Sequence, residues 1–175
     1  MFTIYDGFSD HHDVAAQVFD EFGFPLNFFV ITGLLDEQLW PWDDQIAHAV
    51  NHTKISAIDL QLPFGGKYSV NLAEISVRRT IREIRNALKV VNQEHIYQWL
   101  GAELYPKLEV DFPDTIPREY RPMSWDDARS LKKRGHGVYP HTCSHRILST
   151  LTLEEKQHEI HEARKRVEQE LADCP

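Results

Sequence analysis

A chain of 175 residues with 42% hydrophobic and 26% charged side chains has the length and balance of one folded globular domain, which excludes disorder throughout. Its formal charge of −8, with Lys and Arg interspersed among acids, argues against nucleic acid as a partner, and apolar runs such as 22–35 are too short and too broken by Pro25, Asn27 and Gly33 to span a membrane. No secretion signal opens the sequence and only Cys143 and Cys174 are present, so the expectation is a reducing, cytoplasmic compartment without a disulfide framework.

Residues 2–5 are short, apolar and β-prone and run into Asp6-Gly7, which reads as a strand presenting Asp6 at its C-terminal end. Residues 13–22 carry Val14, Val18, Phe19 and Phe22 at helical spacing, with Gly23 at the C-cap position. Residues 26–32 form a nearly continuous β-prone run of the kind buried on both faces of a parallel sheet. Strand, helix, strand in this order predicts a right-handed crossover and an α/β fold.

The stretch 40–53 has Trp42, Ile46 and Val50 at four-residue steps and reads as a helix, 55–62 as a strand, and Gly65-Gly66 as a turn into a second strand over 68–72. Residues 73–108 are helical in pattern with breaks near Asn92 and at Gly101, followed by a loop assigned Pro106, Pro113, Pro117 and Pro122. Ser124 with Asp127 predicts a capped helix start, and Gly135 predicts its end. A short strand over 137–139 then leads into Pro140-His141-Thr142-Cys143-Ser144-His145, and Thr152 with Glu155 opens a last helix over about 153–171.

Two histidines four residues apart can face one side of a helical turn and bind one metal ion through neutral imidazoles. Ten histidines in this chain give about half such a pair by chance, and His48 with His52 is a second one. That second pair reads as a solvated helix face near Trp42. His141 and His145 differ in following a predicted strand, as Asp6 does, and α/β folds gather ligands at the carboxyl ends of strands. Two His and one Asp make a three-ligand set that leaves positions for water and substrate. Taken alone, Asp6 reads better as an Asp-Gly turn residue.

Thr3-Ile4-Tyr5-Asp6-Gly7 resembles the first motif of the polysaccharide deacetylases, the nodulation-factor deacetylase homology domain of carbohydrate esterase family four, normally Thr-Phe-Asp-Asp-Gly. His141-Thr142-Cys143-Ser144-His145 resembles the second motif, His-(Ser/Thr)-x-x-His, and Leu148-Ser149-Thr150-Leu151 after it is also typical. Phe8-Ser9-Asp10, Phe22-Gly23-Phe24-Pro25 and Asn27-Phe28-Phe29-Val30 resemble the stretch after motif one, so the likeness covers 1–35 and 120–172. The resemblance implies a single domain over 1–175, a distorted (β/α) barrel incomplete at its C-terminus, with a helical and hairpin insertion at about 36–119. It implies zinc or another divalent metal held by Asp6, His141 and His145. The implied activity is removal of N- or O-acetyl groups from a polysaccharide or oligosaccharide by water activated at the metal, which also stabilises the charge developing on the carbonyl oxygen.

Two departures bear on activity. The family's catalytic base, the first Asp of motif one, is Tyr5 here. A phenol ordinarily titrates near about 10, so at neutral pH it donates a proton rather than taking one. Tyr5 would then be a disabled base, a hydrogen-bond partner of water at the metal, or a metal ligand. The family also continues beyond the motif-two helix into an Arg-x-Pro loop, an Asp motif and a Leu-x-His motif whose His is the general acid, whereas these residues run out at Asp173-Cys174-Pro175. A fragment of a longer protein is the expectation, with an open barrel edge met either by self-association or by repacking of 36–119 against it. His95, His136, His158 and His161 lie outside the motifs and receive no catalytic role. Three readings follow: a deacetylase domain, an inactive relative that binds metal and glycan, or a different α/β metallohydrolase with an acid such as Asp10 as its base.

Overall fold

A computed structural model describes residues 1–172, so Cys174 lies outside the described residues. In chain order the elements are β1 (Phe2–Asp6), a π-helical stretch His11–Ala16 continuing as α1 (Gln17–Glu21), β2 (Leu26–Val30), α2 (Thr32–Leu35), α3 (Trp42–His52), β3 (Ala57–Gln61), β4 (Lys67–Asn71) and α4 (Val77–Leu88). There follow α5 (Gln93–Trp99), a π-helical stretch Leu100–Leu104 running into α6 (Tyr105–Leu108), α7 (Trp125–Lys133), β5 (Gly137–Pro140) and α8 (Leu153–Leu171). The chain forms two compact units, one from Met1–Trp40 with residue 116 onward, the other Pro41–Thr115. No helix among the described residues is long and apolar enough to cross a membrane.

The first unit is built on a parallel sheet of three strands in the order β1-β2-β5, which makes the fold α/β. The central strand β2 buries Leu26, Phe28 and Val30 on one face while Asn27 and Phe29 remain half-buried on the other. Against the buried face pack Ala16, Met123, Trp125, Ala128 and Leu131, with Val138 of β5 and Val167 and Leu171 of α8. Full burial of each large apolar side chain here contributes about 1.5–3 kcal/mol. The expected barrel is not closed. Among the described residues this sheet has three strands, so β1 and β5 stand as its two edges.

Helix starts follow the sequence closely. Ser124 and Asp127 form a reciprocal capping box at α7, and Thr152 and Glu155 form another at α8. In the second unit β3 and β4 make the expected antiparallel hairpin, and Asn92 caps α5 through its side chain, which is why the helical pattern breaks there. Pro106, assigned to a loop, instead sits in α6, directly after the π-helical stretch Leu100–Leu104. His48 is also corrected: it is buried on the inner face of α3 with Trp42 and Ile46, while only His52 is exposed. Four-residue spacing cannot tell the two rings apart, because a buried and an exposed histidine differ only in what packs over them.

His136 has a structural role. It is 4% exposed, its ring meets Phe28 edge-on at 5.6 Å, and its Nδ1 accepts a 3.0 Å hydrogen bond from the Leu26 N–H at the start of β2. That bond requires an unprotonated Nδ1, leaving the proton on Nε2, which lies 3.0 Å from Asp20 Oδ1. Burial pushes the imidazole below its usual value, with Asp20 opposing the shift. A histidine that binds its proton less tightly when folded contributes stability in full above about pH 6.5, and loses it as pH falls through the lower folded value. His136→Ala is therefore expected to cost about 1–3 kcal/mol at pH 7.5 for the stranded Leu26 N–H, and to flatten the stability profile as pH falls below about 6.5. Denaturant melts across that range check both.

Candidate metal centre

Parallel pairing brings the C-terminal ends of the three strands level, with Asp6 opposite Val30 and Val30 opposite Pro140. At that edge the Asp6 carbonyl accepts the Ile31 N–H at 3.1 Å and the Val30 carbonyl accepts the His141 N–H at 2.7 Å. Asp6 has φ 82 and Gly7 φ 96, so the chain turns sharply as it leaves β1. Gly7 is needed for that turn, since a Cβ there would lie 2.7 Å from Leu35 Cδ1 and the backbone is in the left-handed region. The outgoing loop is clipped by Met123 N–H to Gly7 carbonyl at 2.9 Å and Ser9 N–H to Arg121 carbonyl at 2.8 Å.

The structure brings Asp6, His141 and His145 together, one ligand atom of each lying within 4.8 Å of the others. His141 Nε2 is 3.7 Å and His145 Nε2 3.6 Å from the same oxygen, Asp6 Oδ1. These distances exceed hydrogen-bond length. Zinc bonds of about 2.0–2.2 Å at tetrahedral angles would separate neighbouring ligand atoms by about 3.3–3.6 Å, so the three residues fit one divalent ion. All three side chains are about a third exposed, at 29–33%, which leaves one side open to water and substrate. Burial pushes the His141 imidazole below its usual value, His145 adds to the effect, and Asp6 opposes it. A neutral imidazole at neutral pH is the form that ligates metal.

The loop that carries the histidines is not the helical turn that their spacing suggested. Residues 141–147 are irregular, and Thr142 and His145 have φ 66 and 56. The loop is held from the start of α2 by Thr32 N–H to Thr142 carbonyl at 3.2 Å and Gly33 N–H to Cys143 carbonyl at 2.9 Å, and internally by His145 N–H to Thr142 Oγ1 at 3.1 Å. Gly33, read from the sequence only as a break in an apolar run, matters here because a Cβ would come within 2.6 Å of the Cys143 carbonyl oxygen.

Tyr5 is half exposed, stacks on Phe29 at 5.4 Å and meets His141 edge-on at 5.4 Å, and Phe29 in turn lies 5.4 Å from Tyr139. The three rings occupy matched register positions on β1, β2 and β5 and form a row beside the ligand set. Asp10 stands with His11, its Oδ1 3.8 Å from that Nε2 and its side chain 74% exposed, outside the set of three. His11 escaped the sequence reading: its ring packs between Phe8 and Phe28, and burial lowers its proton affinity against the pull of Asp10 and Asp6.

Gly33→Ala tests how tightly the loop is held. The added methyl must push the Cys143 carbonyl away and break the Gly33 bond, for an expected loss of about 1–3 kcal/mol in stability and a drop of about tenfold or more in zinc affinity. Melting temperature and chelator competition on the purified chain read the two effects separately.

No curated protein and no solved structure matches the chain. The sequence profile of the family described as polysaccharide deacetylase matches residues 1–175, its whole length. Together with the two motifs that converge at this sheet edge, that match establishes that the chain belongs to the polysaccharide deacetylase family.

Proposed function

We propose that this chain is a metal-dependent carbohydrate deacetylase domain, its ion held by Asp6, His141 and His145, acting on N- or O-acetyl groups of a polysaccharide or oligosaccharide. The observation that carries the reading is the meeting of these three side chains at the carboxyl edge of a parallel sheet in a member of this family. The sheet is read as the first part of the family's barrel and Pro41–Thr115 as an insertion within one deacetylase domain. Zinc suits the two-imidazole, one-carboxylate donor set, and a divalent ion there supplies Lewis acidity toward an acetyl carbonyl and lowers the proton affinity of water. Asp6 and the histidines orient that ion. The row Tyr5, Phe29 and Tyr139 offers flat apolar faces beside it, of the kind against which a sugar ring packs.

Tyr5 decides how active the site is. Its hydroxyl can donate a hydrogen bond to water or to the substrate, but a phenol is not the carboxylate that the family uses as base at this position, and Asp6 is committed to the metal. General base catalysis is worth about 10²–10⁴ in rate, so loss of a carboxylate at this position leaves a slow site. The second reading, a metal- and glycan-binding relative without turnover, is favoured by the same residue. The open edges of β1 and β5 further suit self-association.

The purified 175-residue chain is expected to hold one divalent ion per chain by elemental analysis and to lose it in His141→Ala; equal metal in both proteins removes the ligand assignment. Acetate release from chitin oligomers or acetylated xylan is expected far below the ordinary range of about 1–10³ per second. Turnover within that range would contradict the role given to Tyr5. Glycan binding without any acetate release selects the second reading.

A further inference from the structure

Helix α8 turns four residues inward at four-residue steps: Glu159, Ala163, Val167 and Leu171. Three are apolar and pack on neighbours, while Glu159 is a carboxylate only 3% exposed. A buried carboxylate is costly unless hydrogen-bond donors surround it. Here Oε2 accepts the backbone N–H of Cys143 at 2.9 Å and of Ser144 at 3.0 Å, and Oε1 accepts the Ser144 hydroxyl. The Cys143 thiol also donates to the Glu159 carbonyl at 3.5 Å. Every one of these donors belongs to the two residues between Thr142 and His145.

We propose that Glu159 is a positioning residue of the metal centre, which fixes the Cys143–Ser144 peptides so that His141 and His145 stay aimed at the point they share with Asp6. The proposal rests on reading these three as metal ligands. Thr142 and His145 are held in left-handed backbone conformations that non-glycine residues keep only when their surroundings over-determine them. The start of α2 holds one side of the loop through Thr32 and Gly33, and Glu159 holds the other. A carboxylate suits three converging donors because both of its oxygens accept. A glutamine would present an NH₂ group to one of them, and an aspartate on the same helix would fall short by one methylene.

The test uses the full 175-residue chain with Zn²⁺ or Co²⁺ alone. In Glu159→Gln, competition against a chromophoric chelator is expected to show affinity lower by about 10- to 100-fold. The Co²⁺-saturated variant should have an altered visible absorption spectrum, and the Cys143 and Ser144 amides of the metal-free protein should exchange faster. A purely structural Glu159 would lower the melting temperature and leave the Co²⁺ spectrum of the folded, saturated protein unchanged. Unchanged affinity and spectrum therefore overturn the proposal, even if the two amides exchange faster, and in that case the ligand assignment stands. If the unaltered chain binds neither ion, the ligand assignment and the proposal fall together. Should Glu159→Gln not fold, Ser144→Ala removes one donor without disturbing α8, and a several-fold loss of affinity is expected; no loss there overturns the role.

Discussion

Parallel pairing of three strands in fixed register is the constraint from which the rest of the first unit follows. Asp6, Val30 and Pro140 share one level, so the residues that leave β1 and β5 begin their loops side by side. A one-residue slip of β1 would send Ile4 away from the core and turn Tyr5 toward it, because strand side chains alternate. The burial of Phe28, Val30 and Val138 thus holds the register, and the register holds Asp6 next to His141. Packing under the sheet and chemistry at its edge are one arrangement.

Strain is concentrated where these loops meet. Among the described residues, non-glycine positive φ occurs at Asp6, Glu37, Glu109, Thr142 and His145, and three of those five are at the candidate centre. Such conformations cost about 1–3 kcal/mol each and persist at ligand-holding sites when neighbouring bonds offset them. The bonds that do so come from Ile31, Thr32, Gly33 and Glu159. A sequence motif written as two histidines with three residues between them conceals all of this support.

Much of the fold was legible because it rests on local signals. Ser124 with Asp127 and Thr152 with Glu155 announce their helices through side chains that bond their own first turn. Short β-prone runs marked β1 and β2, and Asp6-Gly7 after β1 marked the edge where ligands gather. Asp6, His141 and His145 could be grouped because the resemblance supplied what spacing alone did not. What stayed hidden depends on distant neighbours. The burial of His48, the need for Gly33 and the irregular course of 141–147 are each set by atoms remote in sequence. Glu159 left a trace: it continues the apolar seam of Ala163, Val167 and Leu171 one turn back, and a carboxylate on such a seam calls for buried donors.

The interruption of the first unit by Pro41–Thr115 bears on how the molecule assembles. Val30 must find Pro140 before the sheet gains its third strand. Closing a flexible loop on the order of a hundred residues carries an entropic cost that grows with its length, and such distant pairings slow folding. Were the second unit, with its buried Leu60, Ile84 and Leu104, to collapse first, it would shorten that loop by its own length and ease the arrival of His141 beside Asp6.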